Sequence, residues 1–162
     1  MPVEARPLLD EAFGGRFADT DWEHALGGWH VLVTDGGTLV AHAAVVPRDL
    51  HVDGRPVDAG FVEAVATTPA RQGEGLGTLA LREVDRLLRR HHQLGALSTG
   101  AHGFYERLGW ERWLGPTFVR TGEGAVRTPD EDDGIMVLRF GSTATVDLGA
   151  PLTCEARAGD DW

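Results

Sequence analysis

The sequence predicts a mixed α/β fold, a single domain over residues 1–162 with a central, mainly antiparallel sheet flanked by helices. Three observations predict it. Asp35-Gly36-Gly37 and Asp53-Gly54 each sit between apolar runs and read as hairpin turns. From Gly75 the apolar positions Leu76, Leu79, Ala80, Val84, Leu87 and Leu88 switch to helical spacing. The 22 glycines of 162 residues fall singly or in pairs between such segments, as punctuation rather than as low complexity.

The elements follow in order. Glu4 to Phe13 reads as a helix with Leu8, Leu9 and Ala12 on one side, stopped by Gly14-Gly15. Thr20 is placed to cap a short helix from Asp21 to Leu26. Trp29 to Thr34 reads as a strand, and Thr38 to Val46, nearly all apolar, as its central returning partner. Leu50-His-Val opens a second hairpin whose long arm is Phe61 to Thr67. The helix from Gly75 ends in Arg86, Arg89, Arg90, His91 and His92, cations that suit the negative end of its dipole. Leu94 to Ser98 reads as a short buried strand, Ala101 to Leu108 as a helix ended by Gly109, and Trp110 to Val119 as a strand broken near Gly115-Pro116. Thr121 to Gly134 reads as a polar loop, Ile135 to Phe140 as a strand, and the tail from Thr143 as weakly alternating.

Composition excludes several functions. Asp and Glu number 25 against 15 basic residues, all Arg, for a formal net charge of −10. Nucleic acid and anionic membranes both call for a basic face, so neither is an expected partner; a cationic one is. No run of about 18 apolar residues occurs, and the first residues lack the apolar stretch of a secretory signal. With one cysteine, Cys154, these features lead to the expectation of a cytoplasmic protein without an intrachain disulfide. Seven histidines without a His-x-x-x-His pair, and one Cys, lead to the expectation of no metal. His42, on a central strand, reads as a core histidine.

The strongest local signal is Arg71-Gln-Gly-Glu-Gly-Leu-Gly77, between a strand and the amphipathic helix. A helix N-terminus carries unpaired N–H groups and about half a positive charge, and glycines let the backbone approach a ligand closely. Such a turn suits a pyrophosphate. No Gly-Lys-Ser/Thr follows, so it is not a P-loop, and Gly73-x-Gly75-x-Gly77 lacks the spacing of the dinucleotide fingerprint.

Gln72-x-x-Gly75-x-Gly77 does resemble the acyl-CoA loop of the GNAT N-acetyltransferases, and Phe104-Tyr105-Glu-Arg-Leu-Gly109-Trp110 resembles that family's second hallmark. More narrowly, Asp21-Trp-Glu-His-Ala-Leu-Gly-Gly28, Ala41 to Val46, Phe61 to Ala66, Gln93 to Ser98, Gly115-Pro-Thr117, Arg127-Thr-Pro-Asp130 and Arg157 to Trp162 resemble the aminoglycoside 2'-N-acetyltransferases. The resemblance runs from about position 10 to the last residue. It implies a GNAT fold; the family's leading edge strand is not readable here, so either that strand is absent or the true start lies upstream.

The resemblance also implies roles. Backbone groups of Val65, Ala66 and Thr67 would pair with the pantetheine arm of acetyl-CoA, and Gln72, Gly73, Glu74, Gly75, Leu76 and Gly77 would hold its pyrophosphate. Tyr105 would be the general acid and Glu63, through one water, the base. The cationic aminoglycoside would meet Asp21, Glu63, Ala64, Ser98, one or two of the four acids of the run Asp130, Glu131, Asp132 and Asp133, then Asp160 and the carboxylate of Trp162. Arg16 stands where the family often has an acid. A homodimer is implied as well. Two other readings are a GNAT enzyme for another cationic amine, such as a cell-wall amino sugar or polyamine, and a non-catalytic aminoglycoside-binding protein.

Overall fold

The computed structural model describes residues 2–162, with side chains from Ala5 onward. The chain divides into two compact units, one of residues up to Val46 and Val62–Leu87, the other of Pro47–Phe61 and Leu88–Trp162. Two strands and one helix run through both.

In the first unit, helix α1 (Pro2–Ala12) and helix α2 (Asp19–Ala25) precede strand β1 (Trp29–Asp35) and strand β2 (Thr38–Val52). The β1–β2 turn is Gly36-Gly37 with φ of 56° and 82°, the paired left-handed geometry that matches strand twist. Helix α2 starts earlier than Thr20 could cap it. Ala18 is the extended residue before the first turn, and the Asp21 carboxylate reaches back to accept its N–H at 2.9 Å. Leu8 and Leu9 of α1 pack with Phe17 and with Ala66 of strand β3 (Arg55–Thr67), so the apolar side read in the sequence covers the end of that strand. Helix α3 (Leu76–His91) follows a single tight turn, Pro69–Arg71.

β2 is one strand where the sequence suggests two. Pro47 does not break it because the strand changes neighbours there. Its ladder to β1 ends at Val45↔Trp29 and its ladder to β9 (Leu152–Glu155) starts at Leu50↔Cys154. A proline with no N–H to give costs no ladder bond at such a place.

The second unit holds β4 (Leu94–Ser98), helix α4 (His102–Glu106), β5 (Glu111–Arg112), β6 (Thr117–Thr121), β7 (Gly124–Arg127), β8 (Ile135–Arg139) and β9. The strand order is β5-β8-β4-β3-β2-β9-β6-β7. β4 lies parallel to β3, and β6 parallel to β9; the other ladders here, β4–β8, β5–β8, β6–β7 and β2–β9, are antiparallel. The predicted strand around Gly115-Pro116 is two strands on different partners, and the polar loop contains β7, paired to β6. Phe61, Leu94, Leu97, Trp113, Ile135, Met136 and Leu152 are each at most 2% exposed and form the core. A Cβ at Gly95 would lie 2.7 Å from Leu88 and 3.0 Å from Trp110, so a side chain there would force these neighbours to shift.

Candidate active site

Residues of the first unit supply a helix-end loop and a distorted strand. Gly73 and Gly75 both have φ of 82° with open space where a Cβ would be, so glycine is required by conformation and not by room. Arg71 braces the loop: its guanidinium donates to both oxygens of Glu74 at 2.9 Å and to Asp35 at 3.0 Å. Thr68 N–H donates to the Val40 carbonyl at 2.8 Å, tying the start of the loop to β2. Glu74 therefore has its carboxylate engaged. The brace of Arg71 was not readable in the sequence, because its partner Asp35 is 36 residues away.

Strand β3 carries Glu63, Ala64, Val65, Ala66 and Thr67 in succession. Its parallel ladder with β4 ends at Phe61↔Ala96. Three residues on, Ala64 has φ of 52°, a left-handed residue in mid-strand. For a non-glycine this costs about 1–3 kcal/mol and persists only where neighbours hold it. The carbonyl of Ala64 accepts from His42 Nδ1 at 2.8 Å. Glu63 is half-buried, with one carboxylate oxygen out of solvent. Asp21, on α2, is half-buried with one oxygen occupied by Ala18 N–H.

In the second unit, Tyr105 lies on α4, 7% exposed, against the rings of Phe104 and Trp110 at 5.0 and 6.1 Å. Burial pushes its phenol up to about 12, so it holds its proton throughout the neutral range. Ser98 ends β4 with its side chain exposed.

The three loop acids separate by environment. Asp132 is committed within the protein: Arg127 donates to its two oxygens at 2.8 and 2.7 Å, and the Thr117 N–H and hydroxyl donate at 2.9 Å each. The Arg127 guanidinium holds the Asp132 carboxyl well below the usual carboxylate range. Glu131 moves the other way. Partial burial raises it first, then the negative charges of Asp160, Asp130 and Asp161. The chain end is held in the same unit. Arg48 donates to the Asp161 carbonyl and to Glu155 O, and Arg157 N–H donates to the Asp161 carboxylate at 3.0 Å. The Trp162 indole is 5% exposed, near Phe61 at 6.4 Å, and Arg48 and Arg157 lie over that same Phe61 ring. Sequence spacing brought none of these arginines forward.

A glycine-rich loop at the head of a helix, with a distorted strand leading into it, is the kind of turn that suits a pyrophosphate, as in acyl-CoA-dependent acyltransferases. The chain belongs to the GNAT acetyltransferase family: the family model for the acetyltransferase (GNAT) domain matches residues 3–113. The aminoglycoside 2'-N-acetyltransferase of Mycolicibacterium fortuitum is 46% identical over 98% of this chain and 83% of its own. The fold matches the GNAT protein YhbS of Escherichia coli in complex with CoA, with a TM-score of 0.67, 18% identity, and 94% and 83% of the two chains covered. It also matches a Brucella melitensis GNAT acetyltransferase in complex with acetyl-CoA, with a TM-score of 0.61, 20% identity, and 88% and 83% covered. Against some longer solved structures the chain spans only 30% or 31% of their length. Among the described residues, no helix is long and apolar enough to cross a membrane.

Proposed function

We propose that this chain transfers the acetyl group of acetyl-CoA to the 2'-amine of an aminoglycoside. The observation that carries the acceptor class is the gathering of Glu131, Asp130, Asp160 and Asp161: burial raises Glu131 first, and the negative charges of the other three raise it further. Gathered carboxylates gain from a polycation that neutralises them together. A charge pair at 4 Å is worth about 4 kcal/mol at an effective dielectric of 20, so a few suffice for micromolar binding. The 46% identical relative named for this reaction supports the regiochemistry.

The residues then take these parts. The N–H groups of Gln72 to Gly77 hold the pyrophosphate of acetyl-CoA, and the backbone of Val65 to Thr67, beyond the end of the β4 ladder, pairs with its pantetheine arm. A backbone N–H near Val65 receives the developing oxyanion. Glu63, through a water, takes a proton from the substrate ammonium. The neutral amine nitrogen attacks the thioester carbon, the C–S bond breaks as the leaving sulfur takes the proton of Tyr105, and the proton that the nitrogen then sheds restores the phenol. Asp21, Glu63, Ala64, Ser98, Asp130, Glu131, Asp160 and the Trp162 carboxylate contact the drug, with Asp132 kept as the lock of their loop. The protein works as a cytoplasmic homodimer with no metal. The test is to locate the acetyl group by NMR in the product made from acetyl-CoA and an aminoglycoside. A 2'-N-acetyl product supports the reading; acetylation at another amine contradicts it.

A further inference from the structure

Two histidines remain without a part in this chemistry. His42 is fully buried on β2. Its Nδ1 contacts the Ala64 carbonyl at 2.8 Å, and its Nε2 lies 2.9 Å from Nδ1 of His30 on β1. A carbonyl oxygen can only accept, so the proton between His42 and Ala64 sits on His42 Nδ1. In a neutral imidazole the other nitrogen is then a bare acceptor. His30 must supply the proton across the 2.9 Å contact, which fixes its Nδ1–H form. Burial lowers both rings below the ordinary histidine value, His42 also being opposed by His30, so the neutral forms this arrangement requires are the favoured ones. Each ring thus sets the tautomer of the next, and the chain of bonds ends on one backbone carbonyl.

That carbonyl is not an arbitrary one. Among the described residues only Asp53 and Ala64 are non-glycines with positive φ, and Asp53 lies in a hairpin turn. A left-handed residue inside a strand re-aims every N–H and C=O that follows it. Those that follow Ala64 are Val65, Ala66 and Thr67.

We propose that His42, with its tautomer set by His30, is the positioning residue that holds Ala64 left-handed and thereby aims the β3 backbone at the arm of acetyl-CoA. This rests on the acetyl-transfer reading above. His42 touches neither substrate; it acts through one carbonyl.

The test uses the full chain and acetyl-CoA alone, read by calorimetry, so it needs no acceptor. Replacing the ring by His42→Leu removes the donor and should weaken acetyl-CoA binding about tenfold, the scale of one lost hydrogen bond. His42→Asn keeps an N–H near the Nδ1 position and should restore binding to within about threefold. The two variants should melt at similar temperatures, so the difference between them is one of aim and not of folding. Equal affinities in wild type, Leu and Asn variants would overturn the inference while leaving acetyl transfer intact. Wild-type protein that does not bind acetyl-CoA would overturn both. Nitrogen-15 NMR of the wild-type imidazoles offers a check that needs no variant: both rings should carry their proton on Nδ1, and an Nε2–H form of His42 would overturn the assignment.

Discussion

At the scale of single residues, environment assigns the chemistry. Tyr105 is the only tyrosine, and the apolar packing that buries it is what keeps its proton in place. Tyr105→Phe should lower kcat by about 10²–10⁴, the usual worth of a general acid, while acetyl-CoA and drug dissociation constants stay within about twofold. Steady-state rates with direct binding measurements check this; unchanged kcat would remove Tyr105 from the mechanism. The same burial has a stability consequence. The Tyr105 phenol is raised from 10.0 to about 12, and the Cys154 thiol from 9.0 to about 11, chiefly by burial. The folded state therefore keeps protons that the unfolded chain loses. Their contribution is fully present below about pH 9 and is lost as pH rises through 11 and 12. Denaturant melts from pH 8 to 12 should show stability falling across that window; a flat profile would contradict the burial of both groups.

Elements position those residues, and here the sequence was uneven as a guide. The hairpin turns, the α3 face and the buried strands β4 and β8 were legible because turn chemistry and apolar period agree locally. β7 was not, since all four of its residues are exposed and nothing alternates. The unbroken course of β2 through Pro47 was hidden because it depends on where two other strands begin and end. Likewise, Asp130, Glu131 and Asp132 look alike in the sequence. Only the fold sets Arg127 against Asp132 and brings Glu131 under the charge of Asp160 and Asp161. Arg127→Ala should free the loop that carries Asp130 and Glu131. The expected result is a several-fold rise in KM for the drug with KM for acetyl-CoA unchanged; equal rises in both would indicate wider damage.

For the whole molecule, the governing quantity is charge. A net charge of −10 attracts a polycation and repels CoA, itself an anion, so salt should act on the two substrates in opposite senses. Screening length falls from about 10 Å at 0.1 M to about 3 Å at 1 M. Raising ionic strength over that range should increase KM for an aminoglycoside several-fold and should not increase KM for acetyl-CoA. Parallel changes would mean that contact geometry, not the acidic field, governs drug binding. The composition announced this property at once, whereas the loop brace of Arg71 and the His30–His42–Ala64 chain of bonds join residues from separate elements and needed the fold.

The most direct test of the central claim is thiol release from acetyl-CoA with tobramycin and with kanamycin A. Tobramycin has an amine on its 2' carbon, and kanamycin A a hydroxyl at that place. The account predicts turnover with tobramycin and none with kanamycin A. Comparable turnover with both would place the acetyl group on another amine and contradict it.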